Sequence, residues 1–579
     1  MNALFLLAAV LVAFVFGYRF FAKLLALDVF RLDRNYSTPA QAHPDARDYV
    51  PTHPHLLFGH HVAAIAGATT FVGPIVALAW GWVPAFLWLI IGSTVAAGTY
   101  GLGSFWLAVR QPGGVGNLTA ALIGRNARLA LLLLALLVLF IAVAASAGLT
   151  AALLAAFPQA ALPTASLVLV AMVFGGYLHG RAESQLLPAT AVAFAASMLL
   201  VWLLGYLPFG FAGELNVTFG PNNLIAVDAA VVWIVVLLVY TFHAVRLPVW
   251  RLMRPRGFVT ALLLAVTLLL FYGALAFQHP TLVAPEFHGS ASATGPLPWL
   301  FVTLGSGALA GFQLLIVYGV TGRQLRHETD ARYIGYGAAL VEGLIALSAL
   351  LIAATAFADT AQWTTYYATV PSVTDFPRAL VFYVDGYVRL VAALGLDPRF
   401  VRALIATVLA SLTLAVLEAS VRALKHLVAE LAPVSTDRLA AGRRLDSERV
   451  RLWLIVGASG VLALYDGDGL GGLRAWPLLA IASLWLAAAG FALMALNLQA
   501  AQRASMLLYS LSAVVATLAL WSSVALLGSW WDRSAWVELT AGSIIVLLGF
   551  TLIVEGVRTW RRQPRAPVPP PHSGTELDT

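Results

Sequence analysis

The sequence contains no cysteine and few charged residues. None of its 579 residues is Cys, and only 11% are Asp, Glu, Lys or Arg, whereas ordinary soluble domains contain about 25%. The absence of cysteine excludes disulfide bonds, thiolate metal ligands and protein-ligated iron–sulfur clusters. The low charge and the 60% hydrophobic content exclude a soluble enzyme and indicate a helical protein that crosses the membrane many times.

Motifs that carry catalysis or nucleotide binding are also missing. We find no His-Glu-x-x-His sequence, no glycine-rich phosphate loop and no recognisable catalytic triad, so we expect that the chain is not an enzyme. The formal net charge of +7 is spread over the loops and does not form a nucleic-acid-binding segment, so we expect no nucleic-acid partner.

Apolar runs of about 17 residues or more predict an all-α fold, a polytopic membrane bundle of about fifteen spans. The loop after the first span is rich in Arg and Lys, which assigns it to the cytoplasm. Loops on that side then hold 28 of the 34 basic residues, which predicts an outside N-terminus and an inside C-terminus. Residues 1–560 are predicted to form one membrane domain, and the Pro-rich residues 561–579 a disordered cytoplasmic tail.

Two of the predicted spans are interrupted by small residues. The interrupting residues are Gly67, Gly73 and Pro74 in the second span and Gly305, Gly307 and Gly311 in the ninth. Spans seven apart run in opposite directions, so we expect an inverted repeat whose halves cover about 56–277 and 298–559. Glycines also let membrane helices pack closely, and this is the alternative explanation.

Helices broken in mid-membrane often form substrate sites, because their freed N–H groups attract anionic groups. We therefore predict that a small-molecule substrate binds between the two interrupted spans, near mid-membrane. The predicted binding residues are Gly67, Ala68, Thr69, Thr70, Gly73, Pro74, Gly305, Ser306, Gly307, Gly311 and Gln313.

Ionisable and hydroxyl side chains in apolar spans are candidates for ion coupling. Glu342 or Glu418 could carry a proton, because burial favours the protonated form of a carboxyl group. The alternative is a structural role, for Glu418 an ion pair with Arg422 four residues later. Ser411 and Thr413 could bind Na⁺ through their hydroxyl oxygens, although such residues in helices more often bond to their own turn.

Two adjacent histidines, His60 and His61, begin the second span. Successive side chains on a helix diverge by about 100°, so the pair cannot easily chelate one metal ion. We predict a gating or proton-relay role, or ordinary packing, and no metal site or cofactor other than a coupling ion. The basic run 246–256 is explained most simply by the positive-inside rule, and contact with anionic membrane lipids is the second explanation.

Two segments carry a family resemblance. DYVPTHPHLLFGHHVAAIAGATTFVGP (48–74) and GPLPWLFVTLGSGALAGFQ…ETDARYIGYGAALVEG (295–343) resemble the carbon starvation protein A family. The resemblance implies a secondary transporter of the bacterial cytoplasmic membrane, with a leucine-transporter-like inverted repeat, that takes up peptides or pyruvate during starvation. This chain departs from the family at Thr69 and Thr70, where Gly-Pro is usual, and at Gln313, where His is usual.

The residues and the resemblance together predict an ion-coupled symporter. It would import a small carboxylate such as pyruvate, or short peptides, by alternating access, with H⁺ or Na⁺ as the coupling ion. The alternatives are a channel and a membrane-embedded nutrient sensor that does not transport.

Overall fold

The computed structural model describes residues 1–207, 209–211, 213–218, 224–288, 311–368, 376–431 and 441–562. Within these ranges, the side chains of Ala68 and of 214–218, 224–227 and 441–447 are outside the description. The predictions for Gly305, Ser306 and Gly307 and for most of the tail 561–579 lie outside the described residues.

The described residues are mainly helical. In chain order the helices are α1 (Ala3–Val29), α2 (Pro39–Ala42), α3 (Pro54–Ile65), α4 (Ala68–Ala77), α5 (Trp82–Arg110), α6 (Val115–Leu122), α7 (Arg125–Ala156), α8 (Pro158–Leu178), α9 (Glu183–Leu204), α10 (Ala229–Arg246), α11 (Met253–Gln278), α12 (Phe312–Ile316), α13 (Arg332–Thr355), α14 (Thr360–Tyr366), α15 (Phe376–Ala392), α16 (Pro398–Leu431), α17 (Ala441–Leu464), α18 (Gly471–Arg474), α19 (Trp476–Ala500), α20 (Met506–Asp532) and α21 (Trp536–Arg562).

Twelve of these helices are long and apolar enough to cross a membrane: α1, α5, α7 to α11, α13, α16 and α19 to α21. The bent pair formed by Pro54–Ile65 and Thr69–Trp80 raises the number to 13. The span predicted near residue 309 lies mostly outside the described residues. Of the about fifteen apolar runs that the sequence predicts as spans, the one centred near residue 458 lies in α17, which is helical but is not among the twelve. The helical membrane bundle is therefore confirmed, whereas the count of fifteen remains a prediction.

The described chain also contains one β-hairpin. Strands β1 (Glu214–Thr218) and β2 (Leu224–Asp228) pair antiparallel between α9 and α10, with Glu214 opposite Asp228. The all-α prediction missed this hairpin because a single short strand pair leaves little trace among long apolar runs.

The core and the edge of the bundle consist of different helices. In the 18-residue apolar segment of α16, 89% of the residues are buried, and in that of α19, 83% are buried. In the corresponding segments of α9 and α21, only 17% and 22% are buried. Apolar side chains can face lipid as readily as protein, so burial cannot be deduced from hydrophobicity alone. The most buried helices, α16 and α19, therefore form the centre of the bundle.

A close backbone contact joins α5 to the start of α13. A Cβ atom on Gly101 would stand 2.5 Å from the carbonyl oxygen of Gly335, and a Cβ atom on Gly335 would meet the carbonyl oxygen of Gly101 equally closely. Only glycine fits at such a contact. Nearby, the hydroxyl of Tyr336 donates to the carbonyl oxygen of Thr94 at 2.8 Å. These contacts hold α13 against α5. Gln313 is close to the same point, because a Cβ atom on Gly101 would lie 2.8 Å from its amide nitrogen.

Candidate functional site

The second span is broken where α3 ends and α4 begins. Ala66 and Gly67 lie between the two helices, and the chain bends by 51° there. Gly67 is extended (φ −78°, ψ −178°) and stands at the N-cap of α4. Gly73 and Pro74, which the sequence also marks as interruptions, instead lie inside α4. The break is therefore confined to two residues, and the first turn of α4 has N–H groups without helical partners.

A cavity of about 50 Å³ adjoins this break. Its wall includes Gly67 and Thr69 from the break, Gln313 from α12 and Glu342 from α13. These four residues are predicted from the sequence to bind substrate or a coupling ion, and the fold brings them together. The sequence-based prediction missed Ser146, Phe312, Val416 and Trp476, which also line the cavity. Nothing in their local sequence marks them, because their helices meet the break only in the folded bundle.

Glu342 lies between two cavities. The hydroxyl of Thr70 donates to Oε1 of Glu342 at 3.0 Å, and the residue is 7% exposed. A second cavity of about 30 Å³ is lined by Glu342 together with Thr69, Thr70, Pro74 and Ser93. Glu342 thus contacts the broken helix through Thr70 and borders both spaces.

Gln313 continues the polar wall toward His61. Its amide nitrogen is 3.5 Å from Nε2 of His61, and Nδ1 of His61 is 3.1 Å from the hydroxyl oxygen of Thr321. An amide nitrogen can only donate, so Nε2 of His61 accepts and Nδ1 carries the proton given to Thr321. His60 points elsewhere and packs against Gly257. The two histidines therefore have separate surroundings, and their predicted gating role remains a prediction.

Glu418 has a different partner from the one that its sequence spacing suggests. Nη2 of Arg256 donates to Oε2 of Glu418 at 2.8 Å, with both side chains almost fully buried. The alternative pairing of Glu418 with Arg422 is wrong, because Arg422 donates to Oδ1 of Asp48 at 2.5 Å. Burial alone would raise the pKa of Asp48, but its interactions with His426 and Arg422 hold that pKa well below its usual range. Both Glu418 and Arg422 therefore pair with residues that are distant in the sequence and not with each other.

In the part of the chain that the structure describes, the two cavities beside Glu342 are lined by neither Ser411 nor Thr413. The hydroxyl of Thr413 bonds to the carbonyl oxygens of Leu409 and Ala410 in its own helix and lies 2.8 Å from the hydroxyl of Thr150. Thr413 therefore follows the back-bonding alternative. The hydroxyl of Ser411 is buried and has no hydrogen-bond partner among the described residues.

The motif around Glu328 forms a junction between loops. Arg110 donates to both carboxylate oxygens of Glu328, at 2.6 and 2.8 Å, and the backbone N–H of Asp33 donates to Oε2 at 2.7 Å. Nη2 of Arg332 donates to the carbonyl oxygen of Tyr18 at 2.6 Å. These motif residues therefore stabilise the fold around the site without lining the described cavities.

The remaining predicted residue with a described backbone is Gly311. Its N–H donates to the carbonyl oxygen of Ser483 at 3.1 Å, and its Cα packs directly on α19. It therefore joins the chain leading into α12 to a central helix.

The chain is similar to bacterial transporters of one family. A model of the family "Carbon starvation protein CstA" matches residues 2–370. The peptide transporter CstA of Mycobacterium tuberculosis is 31% identical over 363 residues, which are 61% of this chain and 46% of that protein. The pyruvate/proton symporter BtsT of Escherichia coli is 32% identical over 359 residues, 61% of this chain and 49% of that protein. The chain thus spans about half the length of these curated relatives.

A solved manganese transporter from Eremococcus coleocola is 12% identical and covers 89% of this chain and 99% of its own, with a TM-score of 0.39. That likeness is too weak to define the fold. The family match extends over more than half of the chain, and the relatives named above are bacterial transporters. The twelve apolar helices make the chain a multi-pass membrane protein. The chain belongs to the carbon starvation protein CstA family.

Proposed function

We propose that the protein is a secondary active symporter that imports a small carboxylate such as pyruvate, or a short peptide, together with a proton. The observation that carries this proposal is the shared cavity: the first turn of the broken helix and the carboxyl group of Glu342 line the same space. A relative named as a pyruvate/proton symporter supports the same choice.

The broken helix supplies the anion-binding half of the proposed site. Helix α4 starts at the cavity, and its first N–H groups carry a partial positive charge of about +0.5 in total. Thr69 adds a hydroxyl group to the same wall, and Gln313 adds an amide group. A carboxylate group, on pyruvate or at the end of a peptide, matches this set of donors.

Glu342 supplies the proton-coupled half. A substrate carboxylate and an ionised Glu342 in one small cavity would repel each other strongly in surroundings of low dielectric. Binding of the anion therefore favours the protonated form of Glu342, so substrate and proton enter the site together. The same linkage makes their release on the other side cooperative.

Sodium coupling has less support among the described residues. A Na⁺ site needs several oxygen ligands around one point, and neither Ser411 nor Thr413 lines the cavity beside Glu342. We therefore prefer H⁺ as the coupling ion. The predicted orientation and the inverted repeat belong to this proposal, with the second broken helix expected near residue 305.

The test is uptake into proteoliposomes that contain the full chain. Labelled pyruvate or a labelled dipeptide is offered under an imposed inward proton gradient, an inward Na⁺ gradient or no gradient. We expect saturable uptake that exceeds equilibrium only with the proton gradient. Uptake driven only by Na⁺ would contradict the choice of ion.

Glu342→Gln provides the matched test of the residue. The amide keeps the shape and can still accept from Thr70, but it cannot exchange a proton. We expect exchange of labelled for unlabelled substrate to continue while gradient-driven accumulation is lost. Glu555→Gln, on the lipid-facing helix α21, is the control and should accumulate substrate normally. Accumulation by Glu342→Gln at the wild-type level would show that another group carries the proton.

The same preparation separates the alternatives. A channel would give currents that do not saturate with substrate. A sensor without transport would bind substrate, detected by a change in tryptophan fluorescence, but would show no uptake under any gradient.

A further inference from the structure

A further cavity lies at the edge of the bundle, away from Glu342. It has a volume of about 320 Å³ and is lined by residues of α6, α7, α19, α20 and α21. Its wall is mainly apolar, with Trp485, Leu496, Leu552 and Ile553 among the lining residues. This volume falls within the range of about 300–1,000 Å³ typical of ligand sites.

The polar side chains in the wall already have partners. The hydroxyl of Thr119 donates to its own helix at 2.7 Å, and that of Ser512 donates to the carbonyl oxygen of Ala488 at 2.8 Å. The indole N–H of Trp485 donates to a serine on α20 at 3.2 Å, and the hydroxyl of Tyr509 donates to a glutamine side chain. A polar ligand would gain few hydrogen bonds here, whereas a hydrocarbon chain would lose none.

The cavity adjoins the lipid-facing side of the protein. Only 28% and 22% of the residues in the apolar segments of α20 and α21 are buried, and the lining residue Met506 is 77% exposed. Two further lining residues, Tyr509 and Trp560, have ring centroids 6.2 Å apart. Such aromatic residues are enriched where a helix leaves the hydrocarbon region. The cavity therefore runs from the acyl-chain region toward one membrane surface.

Basic residues are close in sequence to the residues that line that end of the cavity. Six basic residues lie within three positions of a lining residue: Arg125, Arg128, Arg503, Arg558, Arg561 and Arg562. Two of them already donate to backbone carbonyl oxygens, Arg128 to Glu430 and Arg503 to Phe30. Glu555 is the nearby acid on α21, and it pairs with Arg558 at 3.0 Å. The remaining charge is strongly positive and lies on the side predicted to be cytoplasmic, where anionic headgroups attract such residues.

We propose that this cavity binds an anionic phospholipid of the surrounding bilayer, with one acyl chain between α19 and α21 and the phosphate group among these arginines. The bound lipid fills the gap under α20 and α21 and joins these peripheral helices to the central helix α19. The site is separate from the proposed substrate cavity and does not depend on the transport activity.

Two glycines provide a matched test of the acyl-chain site. A Cβ atom on Gly556, which lines the cavity, would meet no other atom within 4 Å, and the same holds for Gly528 on α20, which does not line it. Gly556→Leu therefore adds a side chain at the cavity wall whose Cβ atom meets no neighbour, and Gly528→Leu adds the same side chain elsewhere. Ala513→Leu, at an exposed lining position on α20, is a second filling variant in case the first assembles poorly.

The probes are phosphatidylglycerol and phosphatidylcholine with identical acyl chains, added to the purified full chain in detergent. Bound lipid is counted by native mass spectrometry, and protection is followed by thermal unfolding. We expect wild-type protein to retain one phosphatidylglycerol tightly, and Gly556→Leu to weaken that binding about tenfold, as expected for the loss of about two buried methylene groups. Gly528→Leu should bind as wild type does. Equal binding by Gly556→Leu, Ala513→Leu and wild type would overturn the proposal.

The headgroup is tested separately. Replacing Arg561 and Arg562 by Gln should reduce the preference for phosphatidylglycerol over phosphatidylcholine, whereas Arg533→Gln at the opposite end of α20 should not. Glycerol phosphate without acyl chains should give no protection. Equal protection by glycerol phosphate, or a lipid-free dimer that Gly556→Leu dissociates, would replace the lipid by a free anion or by a second copy of the chain and overturn the proposal.

Discussion

The buried ion pair between Arg256 and Glu418 makes a quantitative prediction about stability. The two side chains are 2% and 1% exposed and are 2.8 Å apart. Nε and Nη1 of Arg256 and Oε1 of Glu418 have no hydrogen-bond partner among the described residues. Both charged groups have therefore lost their hydration without gaining a full set of hydrogen bonds, and each is stabilised mainly by the charge of the other.

Replacing one partner should cost far more than replacing both. Arg256→Met or Glu418→Met alone leaves an unpaired buried charge, and we expect each to lower the free energy of unfolding by about 3–5 kcal/mol. The double variant removes both desolvated charges and should cost less than either single variant, because apolar side chains of similar volume often replace a buried pair with little loss.

The measurement is reversible unfolding in mixed detergent micelles, followed by tryptophan fluorescence, for the four members of the cycle. Asp385→Asn is the control: its pair with Arg402 is 2.5 Å long, but the side chains are 51% and 38% exposed. Such an exposed pair should contribute only about 0–1 kcal/mol. The reasoning is refuted if Glu418→Met costs no more than Asp385→Asn, or if the double variant costs the sum of the two single variants.

Three further predictions concern Thr70, Gly101 and Asp48. Thr70→Val removes the hydrogen bond to Glu342 and should shift the pH dependence of uptake without changing the amount of folded protein; an unchanged pH profile would show that this bond does not tune the carboxyl group. Gly101→Ala should reduce the yield of folded protein, measured by size-exclusion chromatography, because a Cβ atom would stand 2.5 Å from a backbone oxygen. Asp48→Asn should lower the free energy of unfolding by about 3 kcal/mol, and by the same amount at pH 6 and pH 8. The pKa of Asp48 is lowered in the folded protein, so its stabilising interaction with Arg422 is fully present above the unfolded-state pKa of about 4. The interaction is lost only in stronger acid, where the wild type and the variant should become equally stable.

Local sequence marks the residues of the site but not their pairing. The break at Gly67 and the acid Glu342 can both be predicted from the sequence, because each interrupts an apolar run. That Thr70 donates to Glu342, 272 positions away, cannot be predicted from either segment alone. The pairing depends on how α4 and α13 pack.

Local rules fail where distant charges compete. The i, i+4 spacing of Glu418 and Arg422 favours an intrahelical pair, yet each side chain binds a residue from another part of the chain. An exposed helical pair gains only a few tenths of a kcal/mol, whereas a buried charge without a partner loses several. Burial therefore decides the pairing, and burial is the quantity that a uniformly apolar sequence does not reveal.

The same principle separates the buried acids from one another. Among the described residues, the buried glutamates are Glu328, Glu342 and Glu418. Glu328 is paired with Arg110 and Glu418 with Arg256, so removing or adding a proton at either would disrupt an ion pair that the fold depends on. Glu342 accepts a hydrogen bond from Thr70 and has no ion pair among the described residues. Its charge can change without such a loss, and it is also the one of the three that lines the cavity at the broken helix. Glu342 therefore meets both conditions that the proposed proton carrier must satisfy: its charge can change at low cost, and it lines the proposed substrate cavity.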